Sequence, residues 1–371
     1  MKVGIPSEVK NNEFRVAITP AGVHELVRHG HEVYVQQGAG LGSSITDAEY
    51  VAAGGAILPT ADDVWAIADL LLKVKEPIEE EYHRLRKDQT LFTYLHLAAS
   101  RPCTDALIAS GTTAIAYETV ETADRRLPLL APMSEVAGRL APQVGAYHLM
   151  RAAGGRGVLP GGVPGVAAGK AVVIGGGVSG WNATQIAVGM GFHVTLLDRD
   201  INKLKEADKV FGTKVQTVVS NSFELERACL EADLVIGAVL IPGAKAPKLV
   251  TNELVSRMKP GSVLVDIAID QGGCFEDSHP TTHAEPTFQV HNSVFYCVAN
   301  MPGAVPNTST HALTNATLPY ILELADRGWA EALRRDAALA KGLNTHDGKV
   351  VYREVAEAHG LEHTELSALL G

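Results

Sequence analysis

Apolar positions along this chain recur in two periods, and the alternation between them predicts the architecture. Short apolar runs at 2–6, 32–37, 56–58, 70–75, 90–96 and 113–120 predict strands. Helical patterns lie between them, with recognisable starts. Thr19 before Pro20 predicts an N-cap with proline at the first helical position. Thr46 with Glu49 predicts a capping box, and Thr60 ahead of Asp62 and Asp63 predicts a third helix start. Strands spaced by helices imply a parallel sheet covered on both faces. A helical pattern at 133–152, interrupted at Pro142, leads away from this region into a glycine-rich stretch, 154–169, expected to be a mobile connection. Strands are then expected at 171–174, 193–197, 214–219, 233–239, 262–269 and 295–299. Helices follow at 308–325 and 329–341, and the tail from 348 is short and mixed.

The run at 171–174 leads straight into Gly175, Gly177 and Gly180, a G-x-G-x-x-G spacing followed by a helix-like segment and a second strand that ends on Asp198. Gly175 suits a tight turn, Gly177 lets a pyrophosphate approach the backbone, and Gly180 lets helix and strand pack closely. A carboxylate at 198 is placed to accept hydrogen bonds from the adenosine ribose and to repel a 2′-phosphate, which favours NAD over NADP. Arg199 is the counter-signal, since an arginine there could hold that phosphate. The alternative to a nucleotide site is a plain tight βα turn. The predicted fold is α/β, with two doubly wound parallel-sheet domains. Residues 129–306 form a dinucleotide-binding domain of Rossmann type, inserted into a substrate domain built from 1–128 and 307–371. Two helical connections between the domains imply a cleft able to open and close, with ligands at the carboxyl ends of the strands.

Composition narrows the class. At 371 residues, 46% hydrophobic and 20% charged, the chain is that of a globular enzyme, and its net charge of −10 argues against nucleic acid. No apolar run of membrane-spanning length and no signal-peptide pattern is present, so a soluble, cytoplasmic protein is expected. Cys103, Cys229, Cys274 and Cys297 form no C-x-x-C pair and are expected to be buried reduced thiols.

Four residues gather where the predicted strands end: Lys75, His96, Asp270 and, in the loop after the first strand, Arg15. A cation, an imidazole, a carboxylate and a guanidinium thus converge on one edge of two sheets. Each has an ordinary alternative. Lys75 could be a solvated gatekeeper, His96 a core histidine and Asp270 a cap, while Arg15 could pair with Glu8 or Glu13. Their shared placement beside a nucleotide site favours function. His279, His283 and His291 with Cys274 and Glu276 fit no common zinc spacing, so no metal is expected and this segment is read as a loop. Glu118 and Glu121 are read as a solvated edge. No G-x-S-x-G elbow supports acyl transfer.

At these residues the chain resembles a known family. IPSEVKNNEFRVAITPAGVHEL and VVIGGGVSGWNATQIAVGMGFHVTLLDRD are similar to the two signatures of the alanine dehydrogenase and pyridine nucleotide transhydrogenase family. LLLKVKEP, TYLHLA, GAVLIPGAKAPKLV, VDIAIDQGGCFE and YCVANMPGAVP continue the resemblance across the chain. Glycine at 176 departs from many relatives without harm. The resemblance implies NAD-dependent, reversible oxidative deamination of L-alanine to pyruvate and ammonium by a homohexamer. Arg15 and Lys75 would bind substrate, with His96 and Asp270 catalytic. Ser134, Val178, Asp198, Lys203, Ser220, Val239, Leu240, Ile267, Asp270, His279, Val298, Asn300 and Met301 would line the cofactor beside the three glycines. Position 279 is arginine in some relatives, so His279 departs there from the family pattern. The rival readings are a transhydrogenase hydride-transfer subunit, a dehydrogenase of a larger amino acid, and a non-catalytic NAD-sensing module.

Overall fold

The computed structural model describes residues 1–239 and 246–370. The chain divides into two compact units, Met1–Met133 with Val305–Gly371, and Ser134–Ala304. The second is therefore an insertion, entered and left through helices Ala131–His148 and Pro306–Arg327.

In the first unit six parallel strands form the sheet: β1 (Lys2–Ile5), β2 (Glu32–Gln36), β3 (Ala56–Leu58), β4 (Leu70–Leu72), β5 (Thr90–Thr93) and β6 (Thr113–Ala116). The expected helix starts are present. Thr19 accepts from the Gly22 N–H with Pro20 in the first turn, and Thr46–Glu49 and Thr60–Asp63 are both capping boxes. In the second unit the strands are β7 (Lys170–Ile174), β8 (His193–Asp198), β9 (Val215–Val219), β10 (Leu234–Gly237), β11 (Val263–Asp266), β12 (Thr287–Val290) and β13 (Ser293–Tyr296). A C-terminal hairpin, β14 (Leu343–His346) with β15 (Lys349–Val350), completes the first sheet in the order β15-β14-β6-β5-β4-β1-β2-β3.

The second sheet runs β12-β13-β11-β10-β7-β8-β9. Without β12, this is the strand order of doubly wound dinucleotide-binding sheets, and its switch point lies at β7. Both faces are covered, as unbroken apolar strands require. Ala171 and Val173 enter one core with Leu234, Ile236, Val263, Val265, Val294 and Tyr296. Val172 and Ile174 enter the opposite core with Val235, Leu264 and Phe295.

Several expectations are corrected. The strands at 70–75, 90–96, 113–120, 233–239, 262–269 and 295–299 all stop earlier, so Lys75, His96 and Asp270 lie in the turns beyond the sheet edges. Side-chain carboxylates take over main-chain N–H groups there, as described below. Helix Ala131–His148 runs uninterrupted through Pro142. The proline removes one backbone bond, and close packing holds this stretch: a Cβ on Gly138 would lie 2.2 Å from the Ser179 carbonyl oxygen. The 154–169 stretch belongs to the second unit, tied by the Arg156 N–H to Gly261 O (3.0 Å) and by the Gly169 N–H to Pro160 O (2.9 Å). The segment read as a loop near His279 contains β12, an antiparallel edge strand on β13. All four cysteines are free and buried.

Candidate active site

In the first unit the candidate residues sit at the carboxyl edge of four neighbouring strands, β6-β5-β4-β1. After β1 come Glu8, Glu13 and Arg15; after β4, residues 73–76; after β5, Tyr94 to His96; after β6, Glu118. Arg15 is 2% exposed and its guanidinium lies against Glu13, with Nε 2.7 Å from Oε1 and Nη2 2.5 Å from Oε2. Nη1 lies 3.1 Å from the Met133 sulfur. The ordinary alternative for Arg15, a pair with Glu13, is thus realised. It also fixes the plane of the fork. Burial alone would raise the Glu13 carboxyl, yet the hydrogen bonds and charge of Arg15 outweigh it and hold the group below its ordinary value.

Lys75 is half-buried, and its charge acts on both Glu13 and Glu76. Burial opposes the ionised form of Glu76. Lys75, Lys10 and His96 together nevertheless keep its carboxyl below the usual range, and Lys75 also acts with Arg15 on Glu13, so Lys75 shares charged neighbours with both Arg15 and His96. Beneath them is a feature that sequence reasoning missed. Lys73 is fully buried between Glu8 (Nζ–Oε2, 3.1 Å) and Glu81 (Nζ–Oε1, 3.0 Å). Glu8 also accepts the main-chain N–H of Val74 (2.6 Å) and of Lys75 (3.3 Å), so it sets the backbone that carries Lys75. Burial pushes the Glu8 carboxyl up against the pull of Lys73. The LLLKVK run gave no hint that its two lysines differ, because residues two apart share a face of a strand; β4 ends at Leu72, and only the turn beyond it separates a fully buried Lys73 from a half-buried Lys75.

His96 is exposed, in the left-handed conformation (φ 48°, ψ 36°). Its ring stacks on Tyr94 with centroids 5.9 Å apart, and the Tyr94 hydroxyl donates to Leu129 O at 2.5 Å. Glu118 is not a solvated edge. It is half-buried and accepts the N–H groups of Leu95 and His96, because these groups lie beyond the β5 ladder and need an acceptor. Glu121 is ion-paired with Lys341 at 2.9 Å.

In the second unit the glycine turn follows β7 at the switch point. Gly175 has φ 99°, and a Cβ on Gly180 would lie 1.7 Å from the Gly175 carbonyl oxygen, so both need glycine. A Cβ on Gly177 would meet nothing within 4 Å, which leaves open space above the start of helix Val178–Gly189. Such a turn, with a helix N-terminus behind it, fits a pyrophosphate. Asp198, at the end of β8, accepts the Gly176 N–H (2.6 Å) and the Asp200 N–H (2.8 Å), and Lys203 Nζ lies 3.5 Å from it. Asp198 therefore organises the glycine turn, and its carboxylate stands beside that turn at the end of β8. Ser220 follows β9 and donates its N–H to Asp198 O (2.9 Å), and half-buried Val239 follows β10. Leu240 lies outside the described residues.

Ile267 and Asp270 occupy a 3₁₀ turn after β11, Asp270 exposed. That turn is anchored by buried Asp266, which accepts the N–H groups of Ala268, Cys274 and Phe275 and the Ser278 hydroxyl. Val298, Asn300 and Met301 follow β13. Val298 is fully buried, so only its main chain is available to a ligand, Asn300 is left-handed (φ 65°), and Met301 is buried. Val178 is exposed at the helix start, and Ser134 is half-buried on helix Ala131–His148. His279 stacks on Phe288 (3.7 Å), while His283 and His291 bond separately to Asn300 O and Asn252 Oδ1. Among the described residues no three His, Cys, Asp or Glu side chains form a metal cluster, and no helix is long and apolar enough to cross a membrane.

A doubly wound sheet with a glycine turn at its switch point, inserted into a second α/β unit that gathers polar side chains at its own carboxyl edge, defines a two-domain nucleotide-binding oxidoreductase architecture. The chain belongs to the alanine dehydrogenase/PNT family, whose N-terminal domain model matches residues 4–137 and whose C-terminal domain model matches 141–353. It is 68% identical over 370 residues to the alanine dehydrogenase of Mycolicibacterium smegmatis, covering 100% of both chains. A solved L-alanine dehydrogenase superposes with a TM-score of 0.95 at 52% identity, over 97% of this chain and 99% of that one. A transhydrogenase from Sinorhizobium meliloti is more distant, with a TM-score of 0.83 at 27% identity, over 95% of this chain and 100% of that one. The family implies a pyridine nucleotide cofactor.

Proposed function

We propose that this protein is an NAD-dependent L-alanine dehydrogenase that interconverts L-alanine with pyruvate and ammonium. The observation that carries the reading is full-length similarity, at 54–68% identity, to proteins named alanine dehydrogenase. The nucleotide would lie on the turn of Gly175, Gly177 and Gly180, with Asp198 at the ribose and Lys203, Ser220, Val239, Ile267, Asn300 and Met301 along the strand ends. When bound, the nicotinamide supplies the acceptor for the hydride that leaves the alanine α-carbon. The chain's own residues do the rest. Arg15, its plane fixed by Glu13, binds the substrate carboxylate. Lys75 steadies the carboxylate or the developing carbonyl oxygen. His96 moves protons on and off the amine and the hydroxyl, and Asp270 orients the water that hydrolyses the imine. The anionic Asp198 favours NAD by opposing a 2′-phosphate. We further infer a homohexamer in the cytoplasm.

The decisive experiment follows NAD reduction spectrophotometrically with a panel of L-amino acids, and pyruvate plus ammonium in reverse. L-alanine should be strongly preferred. Preference for lysine or saccharopine, or NADH binding without turnover of any amino acid, would overturn the assignment. Light scattering tests the hexamer separately.

A further inference from the structure

We propose that Glu118 is a positioning residue for His96, acting through the backbone and never touching substrate. The inference rests on the reading of His96 as the proton carrier. β5 and β6 are parallel neighbours paired through Thr93 and Ala116, and each strand ends at that pair. Two residues further on, Glu118 turns its carboxylate across to the next strand's turn. Its Oε1 accepts the His96 N–H at 2.6 Å, and the Leu95 N–H lies 3.1 Å from Oε1 and 3.2 Å from Oε2.

Two consecutive N–H groups converging on one carboxylate form a small anion-binding concavity, of the kind that turn backbones make. His96 is left-handed (φ 48°), a conformation uncommon for residues other than glycine, although histidine adopts it more readily than most. The carboxylate therefore anchors the turn in which the His96 backbone takes this sparsely populated conformation. The Tyr94 ring, anchored at Leu129, limits the imidazole from one side. Without Glu118 the turn would relax towards an ordinary backbone and swing the imidazole away from its working position. A residue that merely sealed the sheet edge would not be coupled to His96.

The test is a double-mutant cycle in the full-length protein, read as kcat for alanine oxidation, with NADH fluorescence titration and thermal melting of every variant. Glu118→Ala should lower kcat on the order of 10- to 100-fold, the scale of a small misplacement of a reacting group. NADH affinity should stay unchanged. Glu118→Gln keeps one acceptor oxygen and should fall between Glu118→Ala and wild type. Should Glu118→Ala fail to melt cooperatively, Glu118→Gln carries the comparison. In the His96→Ala background either substitution at 118 should cost nothing further, because its effect runs through the missing ring. An inactive His96→Ala beside a Glu118→Ala of wild-type kcat would overturn the proposal alone. So would equal losses from the 118 substitution with and without His96. A fully active His96→Ala would instead remove the reading of His96, and this proposal with it.

Discussion

Two glycines three residues apart in one turn should respond to the same substitution in opposite ways. A methyl on Gly180 would sit 1.7 Å from the Gly175 carbonyl oxygen and 3.3 Å from the Ala238 Cβ. Reaching the 3.0 Å below which real Cβ contacts essentially do not occur requires the helix and strand to part by about 1.3 Å. Overpacking of this size costs about 3 kcal/mol or more. For a unit of this size that is a fall of roughly 6–12 °C in the transition that reports the second unit. Gly177 is the opposite case. Its φ of −71° and ψ of −169° are open to alanine, and a methyl there meets nothing within 4 Å. Alanine restricts the unfolded chain, which stabilises, but it is a poorer N-cap than glycine. These oppose, leaving a net change within about 1 kcal/mol. The methyl would project into the space assigned to the pyrophosphate, so NADH affinity should drop about tenfold or more, at least ~1.4 kcal/mol. Calorimetry and NADH fluorescence titration of Gly180→Ala and Gly177→Ala measure both quantities. A Gly177→Ala that melts and binds NADH like wild type would refute the assignment of this turn as the phosphate cradle. An unshifted melt for Gly180→Ala would refute the packing argument.

Three further outcomes are expected. Asp198→Gly should weaken both dinucleotides, since Asp198 also holds the Gly176 and Asp200 N–H groups, and should narrow the preference for NAD by roughly 1–3 kcal/mol; an unchanged ratio of kcat/KM for NAD and NADP removes it from specificity. Arg15→Lys keeps the charge but loses the fork, so KM for alanine and pyruvate should rise while NADH affinity holds; an equal loss of NADH affinity would put Arg15 in the nucleotide site. Lys73→Met leaves Glu8 and Glu81 facing each other without their cation and should destabilise the first unit by about 3–5 kcal/mol in thermal unfolding. Wild-type stability in that variant would contradict the buried ionic triad.

What sequence makes legible here is what local chemistry dictates. The three helix starts of the first unit follow from Thr19, Thr46 and Thr60, whose hydroxyls find the expected N–H groups. Six parallel strands of the nucleotide unit follow from runs buried on both faces. Two short hairpins escaped for different reasons. β14 and β15 are joined by Asp347–Gly348, both at positive φ, so a readable Asp-Gly signal was present, masked by the helical pattern before it. β12 meets β13 through His291 and Asn292, with His291 at φ 51°, a turn whose residues carry no comparable preference. Strand ends were overestimated because an apolar run does not reveal when the ladder partner is replaced by a side chain.

That replacement is also why the most consequential acids were unreadable. Glu8 holds the main chain at Val74 and Lys75, and Glu118 holds it at Leu95 and His96. Asp266 does the same around the turn that carries Asp270, and Glu13 fixes the plane of Arg15. Each candidate reactive side chain is thus borne by, or paired with, a carboxylate that does not itself react. The arrangement has a physical logic. A reacting group must be held within a fraction of an ångström, and turns beyond a sheet edge have no ladder to hold them. A carboxylate accepts several N–H groups at once, and charged acceptors bind about twice as strongly as neutral ones. Burial of such acids carries a desolvation cost, visible in the raised carboxyls of Glu8 and Asp266, which backbone N–H groups and, at Glu8, the Lys73 ammonium partly offset. Sequence spacing cannot disclose Glu8 and Glu118, because each reaches a turn on a different strand, whereas Glu13 and Asp266 act within their own loops. Only the folded sheet makes Glu118 a neighbour of His96.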